Sequence, residues 1–196
     1  RMKVEELRHW YQSWYAPNNA TLVVVGDVTP DEVKALAQRY FGPIAKRDVP
    51  PAKIPLELAE PGERLITLRV QTQLPSLMLG FNVPSIATSE DKRSVNALRL
   101  ISALLDGGYS GRIPTQLERG EELVSGGSSS YDAYTRGDSL FTLSATPNSQ
   151  KKKTMAQAEA GLWKLLEQLK TTAPSTEELE RVRAQVIAGL VFERDS

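Results

Sequence analysis

Three glycines ahead of an amphipathic segment have the spacing of a ligand-binding loop. Gly107, Gly108 and Gly111 stand in LLDGGYSGRIPTQLERG, residues 104–120. A phosphate-binding loop requires a preceding strand and a pattern such as GxxxxGKS or GxGxxG. Here the glycines follow a predicted helix and no lysine comes next, which excludes a phosphate loop. The residues favour a helix C-cap with a glycine at positive φ, followed by a second helix that begins at Ser110.

Histidine and cysteine usage bears on zinc and on nucleophilic catalysis. The chain has one histidine, His9, and no cysteine, whereas even a catalytic zinc site takes three protein ligands. His9 lies on the side of the first predicted helix away from its aromatic residues, so we predict a surface position. The serines of SGGSSS, residues 125–130, have no histidine nearby in sequence to act as their base. We therefore predict no catalytic and no metal-binding residue, and we interpret SGGSSS as a small-residue strand that another chain approaches closely.

Two groups of glutamates are the remaining side chains that could act as catalytic acids or bases. Neither group has a histidine or cysteine beside it, so both are typical of solvated helix faces. The six residues are Glu118, Glu121, Glu122, Glu177, Glu178 and Glu180.

The composition is that of a soluble globular domain. The 196 residues include 24 Lys and Arg against 24 Asp and Glu, and 40% are apolar. A neutral chain gives no electrostatic reason to expect a nucleic-acid partner, and no apolar stretch approaches the roughly 20 residues of a membrane helix. Because Arg1 is not a natural start and the sequence stops at VFERDS inside a helical pattern, we expect a piece of a longer chain.

The elements that position these residues begin with a predicted helix, strand and helix. ATLVVVGD, residues 20–27, is rich in β-branched residues and predicts a short buried strand. In the segment that follows, Thr29 and Glu32 form a capping box and Gly42 ends the helix. Five prolines in residues 42–62 then predict an extended connector and a domain boundary.

After the connector the pattern changes to paired strands. Apolar residues alternate in residues 63–71 and again in residues 75–84, where Leu77, Leu79, Phe81 and Val83 share one face. A hairpin closed near residues 136–138 and two long helices follow, the second opening with a capping box from Ser175 to Glu178. This order predicts an α+β fold, an antiparallel sheet layered with helices on one face, and not a doubly wound nucleotide fold.

Two stretches resemble one protein family. Residues 7–44 are similar to a signature in which a helix ending in aromatic-Tyr-x-Pro-x-Asn leads into a VVVGD strand and a helix. Residues 104–132, LLDGGYSGRIPTQLERGEELVSGGSSSYD, are similar to the stretch LxGGxSSRLxxxLR. Both belong to the pitrilysin/insulinase-type zinc metallopeptidases, which include the mitochondrial processing peptidase. The resemblance covers nearly the whole chain and implies a metallopeptidase half-subunit like those of LuxS and the processing peptidase.

The resemblance implies the inactive C-terminal peptidase domain of a bacterial-type member. The family's zinc motif, H-x-x-E-H with a distant glutamate, lies in the preceding half and is missing from this sequence. Zinc is therefore expected in the parent protein and not in this fragment, which would shape a chamber and contact peptide substrate without being active itself. The substrate-contacting residues carried over from the family's glycine-rich loop are Gly107, Gly108, Tyr109, Ser110 and Arg112.

One departure from the family concerns an arginine and a tyrosine seven residues apart, which some members supply from this half. Alignment on Leu117 and Leu123 places Glu118 at the arginine and Ser125 at the tyrosine. Arg119 is one residue off, which turns it by about 100° on a helix. We therefore expect a second homologous subunit to supply that pair.

The resemblance also implies a domain division and a set of partners. Residues 1–42 would be the terminal helix-strand-helix of the preceding half, residues 43–60 the Pro-rich connector, and residues 61–196 the inactive peptidase domain, truncated at its C-terminus. Since family halves end in a strand and a helix like residues 20–41, we predict that residues 1–41 dock onto the 60–196 sheet of the same or a neighbouring chain. The expected partners are peptide or unfolded polypeptide, the zinc-bearing half of the same chain and a second homologous subunit.

Two alternatives stay open at this point. One is a structural or assembly subunit of the same fold without peptidase activity, and the other is an independent hydrolase that uses the serine cluster. The bacterial periplasm or envelope and the cytoplasm are both open as locations.

Overall fold

Local capping signals form the helices of the first unit. In this computed structural model, which describes residues 2–51 and 62–192, the chain divides into compact units 1–56 and 57–196. The first unit contains α1 (Val4–Trp14), a short 3₁₀ turn and α2 (Pro30–Tyr40). Thr29 and Glu32 form the predicted capping box, since the Thr29 amide donates to the Glu32 carboxylate at 3.0 Å and the Glu32 amide donates to the Thr29 hydroxyl at 3.4 Å. Residues 52–61 of the predicted connector lie outside the described residues.

Two predicted strands do not form. Residues 20–27 and 63–71 have no regular secondary structure, and Val25 and Leu65 are 93% and 87% exposed. The prediction was wrong here because β propensity reflects packing on a pleated surface, and a strand without a partner leaves its amides and carbonyls unpaired. The docking of residues 1–41 onto the 60–196 sheet of the same or a neighbouring chain stays a prediction.

The sheet of the second unit has three antiparallel strands. They are β1 (Leu77–Val83), β2 (Val124–Tyr131) and β3 (Ser139–Pro147), in the order β1-β3-β2. Leu143 of β3 faces Leu79 on one side and Ser129 on the other. The hairpin formed by β2 and β3 and the alternation along β1 are therefore confirmed.

Three helices of this unit pack on one face of the sheet, namely α3 (Lys92–Asp106), a π-helix (Ile113–Gly120) and α4 (Met155–Thr171). The fourth helix, α5 (Thr176–Phe192), packs against α3. The core between the layers consists of Leu105, Ile113, Leu117, Val124, Phe141, Leu143, Ala145, Ala158, Leu162 and Leu165. The α+β class is thus confirmed. Among the described helices, none is long and apolar enough to cross a bilayer.

The segment after the glycines differs from the sequence-based expectation. A short 3₁₀ turn occupies Gly108–Ser110, and the helix begins at Ile113 instead of Ser110. Its bonds span five residues, as from the Glu121 amide to the Gln116 carbonyl at 2.7 Å, which makes it a π-helix.

Candidate functional site

The glycine loop is a tight reversal between α3 and the π-helix. Gly108 has φ of +67°, so the predicted glycine at positive φ is confirmed. Gly107 is required for a different reason, because a Cβ there would lie 2.2 Å from the Ala103 carbonyl oxygen. Gly108, Tyr109 and Ser110 are exposed, whereas Gly107 is half-buried. The backbone of the loop is therefore both fixed in conformation and open to solvent.

Side chains from two helices hold the carbonyl oxygens of the loop. The Arg119 guanidinium of the π-helix donates to Tyr109 at 2.6 Å. From α5, Arg181 donates to Ser110 and Gln185 donates to Gly107, each at 3.3 Å. The loop is consequently positioned by contacts far away in sequence.

Arg112 is held in a bidentate ion pair with Glu178. Its Nε and Nη2 donate to the two carboxylate oxygens at 2.8 Å each, and the two side chains are only 12% and 19% exposed. The hydrogen bonds from Arg112 lower the pKa of Glu178, although burial acts in the opposite direction. The same pairing raises the pKa of Arg112. This geometry favours a positioning role for Arg112, whose predicted contact with substrate stays a prediction.

Two of the six glutamates expected on solvated faces are instead structural. Glu178 is committed to Arg112, so the predicted capping box is only half formed, with the Glu178 amide bound to the Ser175 hydroxyl at 3.1 Å. Glu118 is half-buried and accepts from the Gly127 amide at 3.0 Å. The surface prediction was wrong at these two positions because their partners lie in distant elements. The remaining four are at least partly exposed, and Glu121 and Glu122 pair with lysines.

Glu118 and Ser125 are the residues that the family resemblance aligns with an arginine and a tyrosine, and this alignment stays a prediction. Because the Glu118 carboxylate holds the Gly127 amide, this position offers no cation. The Ser125 hydroxyl donates to the Thr146 carbonyl at 3.4 Å. Neither side chain has the charge or the phenol of the pair it replaces.

An arginine and a tyrosine do meet at a different place. The Arg119 guanidinium lies 3.6 Å from the ring centroid of Tyr109, a cation–π contact. The Tyr109 side chain is 78% exposed. This contact fixes the direction of both side chains on the solvent side of the loop.

The free edge of β2 is covered by carboxylates. Glu118 accepts from the Gly127 amide, and Asp106 accepts from the Ser129 amide at 3.2 Å. Alternate amides of an edge strand point outward and are the groups that an added strand would bind. Since β2 is an edge strand, strand addition there requires both carboxylates to be displaced.

The small residues of β2 allow another element of the same chain to pack closely against it. A Cβ at Gly127 would lie 2.7 Å from Cγ2 of Ile113 in the π-helix. At this position, the interpretation that SGGSSS admits another chain is wrong, since the π-helix already occupies that space.

Sequence reasoning missed Asp106, Arg119, Arg181 and Gln185 as partners of the loop and of β2. A signal existed for part of this set, because residues 178, 181 and 185 are spaced by three and four and share one face of α5. His9 is exposed, as expected. Within residues 2–51 and 62–192, no group of three or more His, Asp or Glu side chains could hold a metal ion.

Comparison with known proteins gives concordant matches. The family described as the inactive domain of peptidase M16 matches residues 1–186. The zinc protease PqqE of Helicobacter pylori is 25% identical over 98% of this chain and 43% of its own length.

Solved structures are similar over the same length. A protease from Helicobacter pylori has a TM-score of 0.78 at 22% identity, covering 100% of this chain and 46% of that chain. A peptidase M16 inactive domain from Pseudomonas fluorescens has a TM-score of 0.67 at 17% identity, covering 95% and 43%. The chain thus spans less than half the length of these proteins, and the structural likeness concerns the fold.

Proposed function

The chain belongs to the peptidase M16 inactive-domain family, and from this premise we propose that it is the non-catalytic half of a zinc metalloendopeptidase. It shapes one wall of a cleavage chamber and contacts an extended peptide through the glycine loop. Zinc is bound by the other half of the parent protein, and a second homologous subunit completes the active site. A similar protein of Helicobacter pylori is named a zinc protease, which supports zinc in the parent.

The observation that carries the proposal is the combination of exposure and fixation in the loop. Gly108, Tyr109 and Ser110 face solvent, yet their backbone is held by side chains of the π-helix and α5. A loop that is ordered before binding loses little conformational entropy when a ligand arrives. The N–H groups that Arg119 and Arg181 leave unused beside the loop are suited to the carbonyl oxygens of a polypeptide main chain.

Support for a non-catalytic role comes from the replaced pair. Glu118 carries a negative charge at the place of an arginine, and that charge is already used by the Gly127 amide. Ser125 has no phenol and is bonded to Thr146. These residues stabilise the fold of this half instead of a reacting peptide bond.

The peptide-contact part of the proposal is tested by cleavage kinetics of the intact parent with its partner subunit. We expect chelator-sensitive cleavage of an unfolded polypeptide. Tyr109→Ala should raise KM several-fold with little change in kcat, because the loop binds substrate without touching the reacting atoms. Trp163→Ala on α4 is the control, since it also removes a partly exposed aromatic ring, 40% exposed, outside the loop.

Two outcomes contradict the proposal in different ways. A parent that binds no zinc and cleaves nothing would favour the alternative of a structural or assembly subunit. A parent that cleaves normally with Tyr109→Ala at unchanged KM would remove the loop from substrate binding.

A further inference from the structure

Each carbonyl oxygen of the glycine loop already has a hydrogen-bond donor from this chain. All four carbonyl oxygens from Gly107 to Ser110 already accept a hydrogen bond, three from the side chains described above and that of Gly108 from the Gly111 amide at 3.0 Å. The groups on its exposed side that can only donate are the unused N–H groups of the two arginines, while the Tyr109 and Ser110 hydroxyls can donate or accept. A guanidinium carries five N–H donors and no acceptor. The loop therefore favours a ligand that is rich in acceptors.

The charge beside the loop is positive. In the described part of the chain, no carboxylate oxygen lies within 4.0 Å of a nitrogen of Arg119 or Arg181. Three nearby acidic side chains are engaged elsewhere, Glu118 with the Gly127 amide, Glu121 with Lys164 and Glu178 with Arg112. Glu177 and Glu180 of α5 are exposed and form no ion pair with either arginine within the described residues. The guanidinium groups of Arg119 and Arg181 thus donate to consecutive carbonyl oxygens of the loop without forming an ion pair with a carboxylate of the described residues.

We propose that the loop, with Arg119 and Arg181, binds the carboxylate of an acidic side chain in the polypeptide substrate. The inference rests on the proposed function and names Arg119 and Arg181 as specificity-determining residues. The parallel N–H groups of a guanidinium match the two oxygens of a carboxylate. The contact with the Tyr109 ring keeps the Arg119 guanidinium in one orientation. A carboxylate is favoured over nucleic acid because the chain as a whole has no net charge to attract a polyanion.

Peptide binding to the intact parent with its partner subunit, in the presence of chelator so that no peptide is cleaved, tests this inference. Three labelled peptides of one length, identical except for a Glu, Gln or Lys at the central position, are titrated by fluorescence anisotropy at low and high salt. We expect the Glu peptide to bind about fivefold more tightly than the Gln peptide, the size of one well-placed exposed ion pair. The Lys peptide should bind most weakly, and the differences should shrink at high salt.

Variants separate the two arginines from the general affinity of the loop. Arg119→Gln and Arg181→Gln should each lower the Glu-to-Gln affinity ratio towards one, and the ratio cancels any weakening that both peptides share because the loop carbonyls lose a donor. Arg119→Lys keeps the charge and should retain part of the preference. Arg183→Gln, an exposed arginine of α5 that makes no contact with the loop, is the matched control and should change nothing. Thermal melts establish that each variant is folded.

Equal affinity for the Glu and Gln peptides would overturn the inference and leave the proposed function standing. A preference that survives Arg119→Gln and Arg181→Gln would also overturn it. A parent that binds none of the three peptides would contradict both the inference and the peptide contact from which it starts. Tighter binding of a single-stranded oligonucleotide than of the Glu peptide would assign the basic loop to nucleic acid and overturn the inference.

Discussion

The ion pair between Arg112 and Glu178 ties the glycine loop to α5, and replacing Glu178 by Gln removes its negative charge while keeping its shape. Arg112 then faces an amide that offers one acceptor instead of two and turns an NH₂ group towards a donor. Removal of one partner of a buried pair costs about 3–5 kcal/mol. Since the two side chains keep 12% and 19% exposure, we expect about 2–3 kcal/mol, less than for a fully buried pair. For a chain of this size the melting temperature should fall by about 4–12 °C.

Denaturant unfolding followed by circular dichroism measures this loss, and Glu167→Gln is its control. Glu167 pairs with Lys170 at 2.6 Å, but the side chains of the pair are 58% and 65% exposed. We therefore expect a change below about 1 kcal/mol. The reasoning is refuted if Glu178→Gln destabilises the chain no more than Glu167→Gln does.

The pH dependence of the same variant gives a second check. Hydrogen bonds from Arg112, with smaller contributions from the Arg181 charge and the Ser175 backbone, hold the pKa of Glu178 below its ordinary value of 4.5. A lowered pKa in the folded state means that the stabilisation is complete above 4.5 and disappears as pH falls through the folded pKa. The difference in unfolding free energy between the native chain and Glu178→Gln should therefore shrink on acidification below pH 4.5. A difference that is constant with pH would refute the assignment of this stabilisation to the Glu178 charge.

Two further predictions concern β2. Gly127→Ala places a methyl group 2.7 Å from Ile113 and 3.2 Å from the Ser144 carbonyl, so it should destabilise the chain by about 1–3 kcal/mol in denaturant unfolding. Gly126→Ala is the control and should change stability much less, because nothing lies within 4 Å of the added methyl group. Equal losses of stability in the two variants would contradict this packing. Combined Asp106→Ala and Glu118→Ala uncovers the edge amides of β2, so light scattering should detect concentration-dependent association. Glu177→Ala and Glu180→Ala together remove the same charge from exposed positions and should leave the chain monodisperse.

Elements specified by neighbouring residues were predictable from the sequence. The capping of α2 needs only Thr29 and Glu32, and the inward face of β1 follows from simple alternation. Membership of the peptidase M16 inactive-domain family confirms the resemblance that the two motifs indicated.

Elements specified by distant residues were not predictable. Residues 20–27 have the composition of a strand, but composition does not supply the neighbouring strand that makes one stable. The pairing of Arg112 with Glu178 spans 66 residues, and the helical spacing of residues 178, 181 and 185 indicates a shared face of α5 without indicating which distant residues that face contacts. The same reason explains why Arg181 and Gln185 were missed at the loop.

The measurement that tests the central claim most directly is zinc content and peptide cleavage by this chain alone, with and without chelator, beside the intact parent. We predict that the chain binds no stoichiometric zinc and cleaves nothing, whereas the parent with its partner subunit shows chelator-sensitive cleavage. One zinc ion per chain, or chelator-sensitive cleavage by the chain on its own, would contradict its assignment as the non-catalytic half.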